Sequence, residues 1–153
     1  MTETDLKRWL SRANAIRMQR EQYEAKAREV EAIALRTTRN YDINHVSVSS
    51  DPHRVMDSVV IKNDQLLDVI SDLMIKEYAA KTEILKLIEM TLPSDTVDHV
   101  IIFCRYINGM TMKETAELME MGISQCNLIQ KKSIQAMLEA ISEGKYELFS
   151  ALL

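Results

Sequence analysis

The sequence predicts an all-α protein, with a long N-terminal antiparallel helical hairpin resembling a coiled coil and a C-terminal module of shorter helices. Helix-breaking residues are rare, since the 153 residues include only three Gly and two Pro. Apolar residues in the first two thirds recur at intervals of three, four and seven, the spacing of helices that pack along one side. We therefore predict a hairpin for oligomerisation or partner contact over 1–92 and a DNA-binding domain over 93–153.

The first predicted helix runs from about Thr4 to Leu35. Its apolar residues follow a coiled-coil seam that Arg20 interrupts. The seam contains Leu6, Leu10, Ala13, Ile16, Tyr23, Ala27, Val30 and Ala34. The polar segment that follows, about 37–52, predicts a loop.

A second long helix, opening at Asp51 or Asp57, keeps a similar apolar stripe. This stripe contains Val59, Leu66, Ile70, Leu73, Ile84 and Ile88. The helix is predicted to end at Leu92, because Pro93 disfavours helical backbone at the residue before it. With a rise of about 1.5 Å per residue, each of the two helices is predicted to be roughly 45–50 Å long.

Charge is divided unevenly over this hairpin. Five basic residues occur near the N-terminus without an acid among them: Lys7, Arg8, Arg12, Arg17 and Arg20. Four aspartates lie near one face of the second helix: Asp57, Asp64, Asp68 and Asp72. Three roles are open for the basic residues. They contact the DNA backbone, they contact the aspartates of a second subunit, or they form a solvated helix face without a ligand.

A further helix is predicted over 98–108, capped by Ser94 or Asp95. Its apolar residues are spaced to face a core and are Val100, Ile101, Cys104 and Ile107. Gly109 can adopt the positive φ that ends this helix.

The segment after Gly109 predicts two more helices joined by a turn. Thr111 is an N-cap, and Glu114 completes the spacing of a capping box. Ala116 is small enough for a close helix crossing. Gly122 is predicted to form the second turn, and Ile123 is predicted to be buried beside it. Ser124 is predicted to be the N-cap of a recognition helix.

The last of these helices has the chemistry of a DNA-reading element. Apolar positions along it are Leu128, Ile134, Met137, Leu138 and Ile141. Its other faces carry Gln125, Asn127, Gln130, Lys131 and Lys132. Amides can read base edges and lysines can hold phosphates, and no acidic residue occurs from Gly122 through Leu138.

This pattern resembles region 4 of bacterial sigma factors. The resemblance is carried by Arg105, Tyr106, Gly109, Thr111, Glu114, Ala116, Gly122 and Ser124. The whole chain is similar to the small ArpU/RinA-like phage transcription regulators. That resemblance implies a sigma-like DNA-binding protein of a phage or prophage of a Gram-positive bacterium, which regulates late genes.

One departure from the pattern lies in the turn between the last two helices. Glu120 stands where the turn glycine would follow Ala116, and Gly122 comes two residues later. The two extra residues either extend the first helix of the pair by about half a turn or widen the turn.

Several other classes of protein find no support in the sequence. There is no glycine-rich phosphate loop, nucleophile elbow or paired carboxylate in an apolar setting, so we predict no enzymatic activity and no cofactor. His45, His53 and His99 stand apart, and no spacing indicates a metal. Cys104 and Cys126 are predicted to be reduced thiols. With no apolar run and no signal peptide, we expect no membrane contact and a location in the bacterial cytoplasm.

The predicted function is sequence-specific regulation of transcription through double-stranded DNA. Base contacts are assigned to Ser124, Gln125, Asn127 and Gln130, and phosphate contacts to Thr111, Lys113, Lys131 and Lys132. The net charge of −4 predicts that two copies act together as a dimer. The alternative is an interaction module that binds RNA polymerase or another regulator, as an inhibitor or anti-repressor, and retains the helix-turn-helix as scaffold.

Overall fold

The structure of the chain, a computed structural model, describes the backbone at residues 1–43 and 52–143 and the side chains at 1–36 and 57–143. Within those ranges the protein is all-helical, which confirms the predicted class. The helices are α1 (Glu3–Ile43), α2 (Pro52–Thr91), α3 (Val97–Tyr106), α4 (Met112–Leu118) and α5 (Ile123–Ser142). The residues 44–51 and the C-terminal tail after 143, with the predictions made for them, lie outside the described part.

The predicted antiparallel pair of long helices is confirmed, with α1 followed by α2. The two helices contain 41 and 40 residues, so each is about 60 Å long and exceeds the predicted length. The predicted loop at 37–52 is wrong in its first part, because the backbone stays helical to Ile43. The second helix begins at Pro52, where the fixed φ of proline suits a first helical position.

The apolar stripes of the two helices face the interior as predicted. Fully or nearly buried positions are Leu6, Leu10, Ala13 and Ala27 in α1 and Ile70, Leu73, Ile84 and Ile88 in α2. Burial follows the seam because only one side of each helix contacts its neighbour. Among the described residues, no helix is long and apolar enough to cross a membrane.

The chain folds into two compact units. The terminal unit contains residues 1–15 and 77–153, and the middle unit contains residues 16–76. The first turns of α1 therefore belong to the same unit as α3, α4 and α5. The predicted assignment of separate roles to 1–92 and 93–153 stays a prediction.

Helices α3, α4 and α5 pack against one another in pairs. Their shared core contains Ile101, Ala116 and Cys126, one from each helix, all buried. Four larger apolar side chains pack around this centre: Met112, Met119, Met121 and Ile129. The predicted role of Ala116 is confirmed, because a small side chain at this point lets α4 approach its neighbours closely.

The start of α3 differs from the prediction. Its N-cap is Thr96, whose hydroxyl accepts a hydrogen bond of 3.3 Å from the backbone N–H of His99. The predicted caps Ser94 and Asp95 lie before the cap position and are wrong. At the other end of the helix, Gly109 has φ 68°, which confirms its predicted left-handed conformation.

The turn after α4 shows how the chain accommodates the two extra residues. Glu120 adopts φ 52°, the left-handed conformation that usually belongs to glycine. The N–H of Met121 donates to the carbonyl of Ala116 at 3.0 Å, and the N–H of Glu120 donates to that of Glu117 at 3.2 Å. These two bonds form a Schellman motif, so α4 ends at Leu118 and the turn is widened.

A Glu120→Gly variant should be more stable than the natural chain by about 1 kcal/mol, because glycine adopts a left-handed conformation without the penalty of a β-carbon. The free energy of unfolding from urea titrations would measure the gain. The matched control is Glu117→Gly, which places the same substitution inside α4 and should cost about 1 kcal/mol. Equal effects of the two substitutions would contradict the assignment of strain to Glu120.

Candidate nucleic-acid interface

A capping box fixes the start of α4. The hydroxyl of Thr111 accepts a 3.2 Å bond from the N–H of Glu114, and the Glu114 carboxylate accepts a 2.6 Å bond from the N–H of Thr111. The same carboxylate accepts the hydroxyl proton of Thr111 at 2.8 Å. These bonds, the backbone one first, hold the pKa of Glu114 below its ordinary value. The predicted capping box is confirmed, and the hydroxyl of Thr111 is already engaged within it.

The start of α5, unlike that of α4, has no side-chain cap. Its N-cap is Gly122, and no side chain accepts a hydrogen bond there. Ser124 is therefore the second residue of the helix and is exposed, so its predicted capping role is wrong. Ile123 is 48% exposed rather than a buried plug. The first N–H groups of α5 thus open the helix without a side-chain cap.

The register of α5 is set by Cys126. This thiol is fully buried, and the other buried residues follow it by seven, eight and eleven positions at Ser133, Ile134 and Met137. Leu128 lies on the opposite side and is 54% exposed, so its predicted core position is wrong. Sequence reasoning preferred the larger apolar side chain, whereas the small thiol is the one that fits beside Ala116.

The side of α5 that points away from the core is polar and basic. We define the outer face of α5 as Ser124, Gln125, Leu128, Lys131, Lys132 and Gln135, all exposed. The spacing of four, three and four from Ser124 through Leu128 and Lys131 to Gln135 places these four in one line along the helix. Both predicted lysines are thus presented together on the outer face of α5. Asn127 is also exposed, beside this face, and Lys113 is exposed on α4.

Gln130 differs from the other predicted base-reading residues, because both ends of its amide have partners inside the protein. Its oxygen accepts a 3.3 Å bond from Nε of Arg105, and its nitrogen donates at 3.1 Å to the hydroxyl of Tyr106. Arg105 also donates through Nη1 to the carbonyl of Met110 at 2.5 Å. Arg105 and Gln130 thereby tie the turn before α4 to α5. This structural role was not predicted from the sequence.

A Gln130→Ala substitution is expected to lower the free energy of unfolding by about 1–2 kcal/mol, because it leaves the buried hydroxyl of Tyr106 and the guanidinium of Arg105 short of a partner. Chemical denaturation would measure the loss. Gln125→Ala is the matched control, since that exposed amide should change stability by less than about 0.5 kcal/mol. If Gln130→Ala were as stable as Gln125→Ala, the amide would be free to face a ligand.

The charge of Lys131 on α5 acts on a carboxylate in the first turn of α1. Glu3 forms a 2.5 Å ion pair with Lys7, and this pair is the main reason that its pKa lies below the ordinary value. The charge of Lys131 lowers the same pKa further. The sequence shows no acid from Gly122 through Leu138, and Glu139 is the one acid within α5. It gave no sign that the charge of Lys131 acts on Glu3. The lysine is therefore less isolated from negative charge than the sequence suggested.

The predicted basic stretch of α1 is largely matched by carboxylates of the same chain. Lys7 pairs with Glu3, Arg17 with Glu21 at 3.7 Å, and Arg20 with Glu24 at 2.5 Å. Each pair spans one helical turn, so a single helix brings the two charges together. These three basic residues need no second subunit or phosphate to balance their charge, although surface pairs of this kind are weak enough to exchange.

Arg12 and Arg8 complete the basic stretch. Arg12 forms an ion pair with Glu83, and its guanidinium lies 4.1 Å from the centre of the Trp9 ring. Arg8 is exposed.

Cys104 and Cys126 are free thiols, as predicted; both are buried, and burial raises the pKa of both thiols. Within the described residues, no group of three His, Cys, Asp or Glu side chains could hold a metal ion. Comparison with protein-family models, with curated proteins and with solved structures finds no match to this chain.

Proposed function

We propose that this protein is a sequence-specific DNA-binding regulator of transcription and that the outer face of α5 enters the major groove. The observation that carries the proposal is the composition of that face. It presents two lysines and several amide and hydroxyl groups to solvent, on a helix without an acid from Gly122 through Leu138. Lysines hold phosphates, and the polar side chains match the donors and acceptors of base edges.

The geometry of the three C-terminal helices supports this use of α5. A recognition helix must be held rigidly by a preceding helix, and α4 is fixed by its capping box, by the Schellman motif and by the shared core with α3 and α5. The uncapped N–H groups at the start of α5 suit an approach to phosphate. We assign base contacts to Ser124, Gln125 and Asn127, and phosphate contacts to Lys113, Lys131 and Lys132.

The resemblance to sigma region 4 and to ArpU/RinA-like phage regulators supports a role in late-gene control, with RNA polymerase as a second partner. The net charge of −4 means that one outer face supplies few charges for tight binding. We therefore propose that two copies bind together, on half-sites separated by about 34–36 Å, one turn of DNA.

The test is selection from a random-sequence duplex library with the full-length protein, followed by binding measurements over a salt series. Specific recognition predicts enrichment of a common sequence, and affinity for it should exceed that for a scrambled duplex by at least about a thousandfold. Equal, weak binding to both duplexes at every salt concentration would overturn the proposal.

A second candidate function is an interaction module, and the middle unit offers the observation that favours it. Val60, Leu67 and Met74 recur every seventh residue along α2 and are 53%, 48% and 54% exposed. A stripe at this spacing is typical of a helix that packs against another helix. Asp64 and Asp68 lie beside it, so a basic amphipathic helix is the complementary ligand.

The two functions are separated by substituting the stripe. A Val60→Ser/Leu67→Ser/Met74→Ser variant should keep its affinity for the selected duplex if the outer face of α5 carries the activity, because no residue of the stripe belongs to that face. A natural protein that selects no duplex but binds a basic amphipathic helix, with that binding lost in the stripe variant, would instead identify the middle unit as the functional surface.

A further inference from the structure

The outer face of α5 contains one apolar residue, and its position rather than its exposure is informative. Leu128 is 54% exposed, and single exposed leucines are common on protein surfaces. On a helix, the surface neighbours of a residue are those three and four positions away. For Leu128 these neighbours are Ser124, Gln125, Lys131 and Lys132, all of them exposed. Leu128 is thus the centre of the group of side chains for which we propose contact with DNA.

We propose that Leu128 recognises the C5 methyl group of a thymine, an inference that rests on the proposed function of α5. A side chain at the centre of a helix in the major groove points at the edges of the base pairs, where thymine alone among the four bases presents a methyl group. An aliphatic side chain offers no donor or acceptor to the other base edges. It removes water from the thymine methyl group and leaves the polar groups of other bases without partners.

The charged neighbours of Leu128 strengthen this assignment over a contact with a protein. Lys131 and Lys132 flank it on one side, so an apolar protein surface that covered Leu128 would have to desolvate two ammonium groups. A duplex satisfies all of these groups together, because phosphates border the groove on both sides of the base edges. The surroundings of Leu128 therefore favour a nucleic-acid ligand.

Replacing thymine by uracil in the bound duplex tests the proposal, because the two bases differ only in the methyl group. A duplex selected by the natural protein is synthesised with each thymine changed singly to deoxyuridine. At one or two positions the natural protein should lose about fourfold in affinity, the effect of one buried methyl group. Leu128→Ala should bind the thymine and uracil forms equally, with the affinity that the natural protein shows for uracil.

Two control variants make the result specific. Leu118→Ala changes another exposed leucine, at the end of α4, and should keep the discrimination between thymine and uracil. Lys131→Ala should weaken binding to both duplexes by the same factor. Thermal unfolding would show that Leu128→Ala remains folded, as its exposure predicts.

Three outcomes would overturn the proposal. If the natural protein binds every uracil-substituted duplex as tightly as the original, no thymine methyl group is read. If Leu128→Ala keeps the discrimination, another residue reads it. If the library yields no enriched sequence at all, the proposed function fails and the inference fails with it.

Discussion

A Leu6→Ala/Leu10→Ala variant is expected to lose most or all of the stability of the terminal unit. Both side chains are fully buried, although they lie at the opposite end of the chain from α3, α4 and α5. Truncating a buried leucine costs about 2–5 kcal/mol. Two such losses reach the total stability of a small domain, about 5–15 kcal/mol. Circular dichroism and the fluorescence of Trp9, the single tryptophan of the chain, would follow unfolding in urea.

The control for this variant is Leu35→Ala, because that leucine is 72% exposed and its loss should change stability by less than about 0.5 kcal/mol. A second comparison uses the isolated fragment 93–153. Since α3 to α5 share their unit with residues 1–15 and 77–92, the fragment alone should not fold cooperatively. An independently stable fragment, or a double variant as stable as the natural chain, would show that the start of α1 is dispensable.

Local signals in the sequence predicted much of the fold correctly. The capping box of Thr111 and Glu114 and the left-handed Gly109 were predictable, because each depends on residue type and on neighbours within a few positions. The apolar stripes of α1 and α2 were predictable for the same reason, since a helix period fixes which residues share a side.

The predictions that failed depend on packing between distant parts of the chain. Cys126, rather than Leu128, packs with Ile101 and Ala116 in the core of the three C-terminal helices. No local pattern in α5 indicates which of the two apolar residues contacts α3 and α4. The side-chain amide of Asn14 donates a 3.1 Å hydrogen bond to the carbonyl of Arg105, which is far away in sequence. No local sequence pattern near either residue predicts this bond.

The turn at Glu120 shows a different limit of sequence reasoning. Residue propensities assign left-handed backbone to glycine, and here a glutamate adopts it. The Schellman bonds and the packing of Met121 against the core offset its cost. Propensity assigned the turn to Gly122, whereas the left-handed residue is Glu120 and Gly122 is the N-cap of α5.

A Lys131→Ala/Lys132→Ala variant is expected to bind the selected duplex about fiftyfold more weakly at 0.1 M salt. Each phosphate contact contributes about 0.9 to the slope of the logarithm of the binding constant against the logarithm of the salt concentration, through counterion release. Loss of two contacts should therefore reduce this slope by nearly two, which corresponds to about fiftyfold in affinity between 1 M and 0.1 M salt. Stability should change little, since both lysines are exposed. Fluorescence anisotropy of a labelled duplex at several salt concentrations would measure both quantities.

The matched control is Lys62→Ala/Lys86→Ala, which removes the same charge from two exposed lysines of α2. If net charge alone governed binding, this control would weaken it as much as the α5 variant does. The proposed interface predicts instead that the control keeps nearly full affinity, because neither lysine belongs to the outer face of α5 and exposed charges are screened by salt. A protein that still bound the duplex tightly without Lys131 and Lys132 would have its DNA surface elsewhere. In that case the outer face of α5 would no longer support the proposed function.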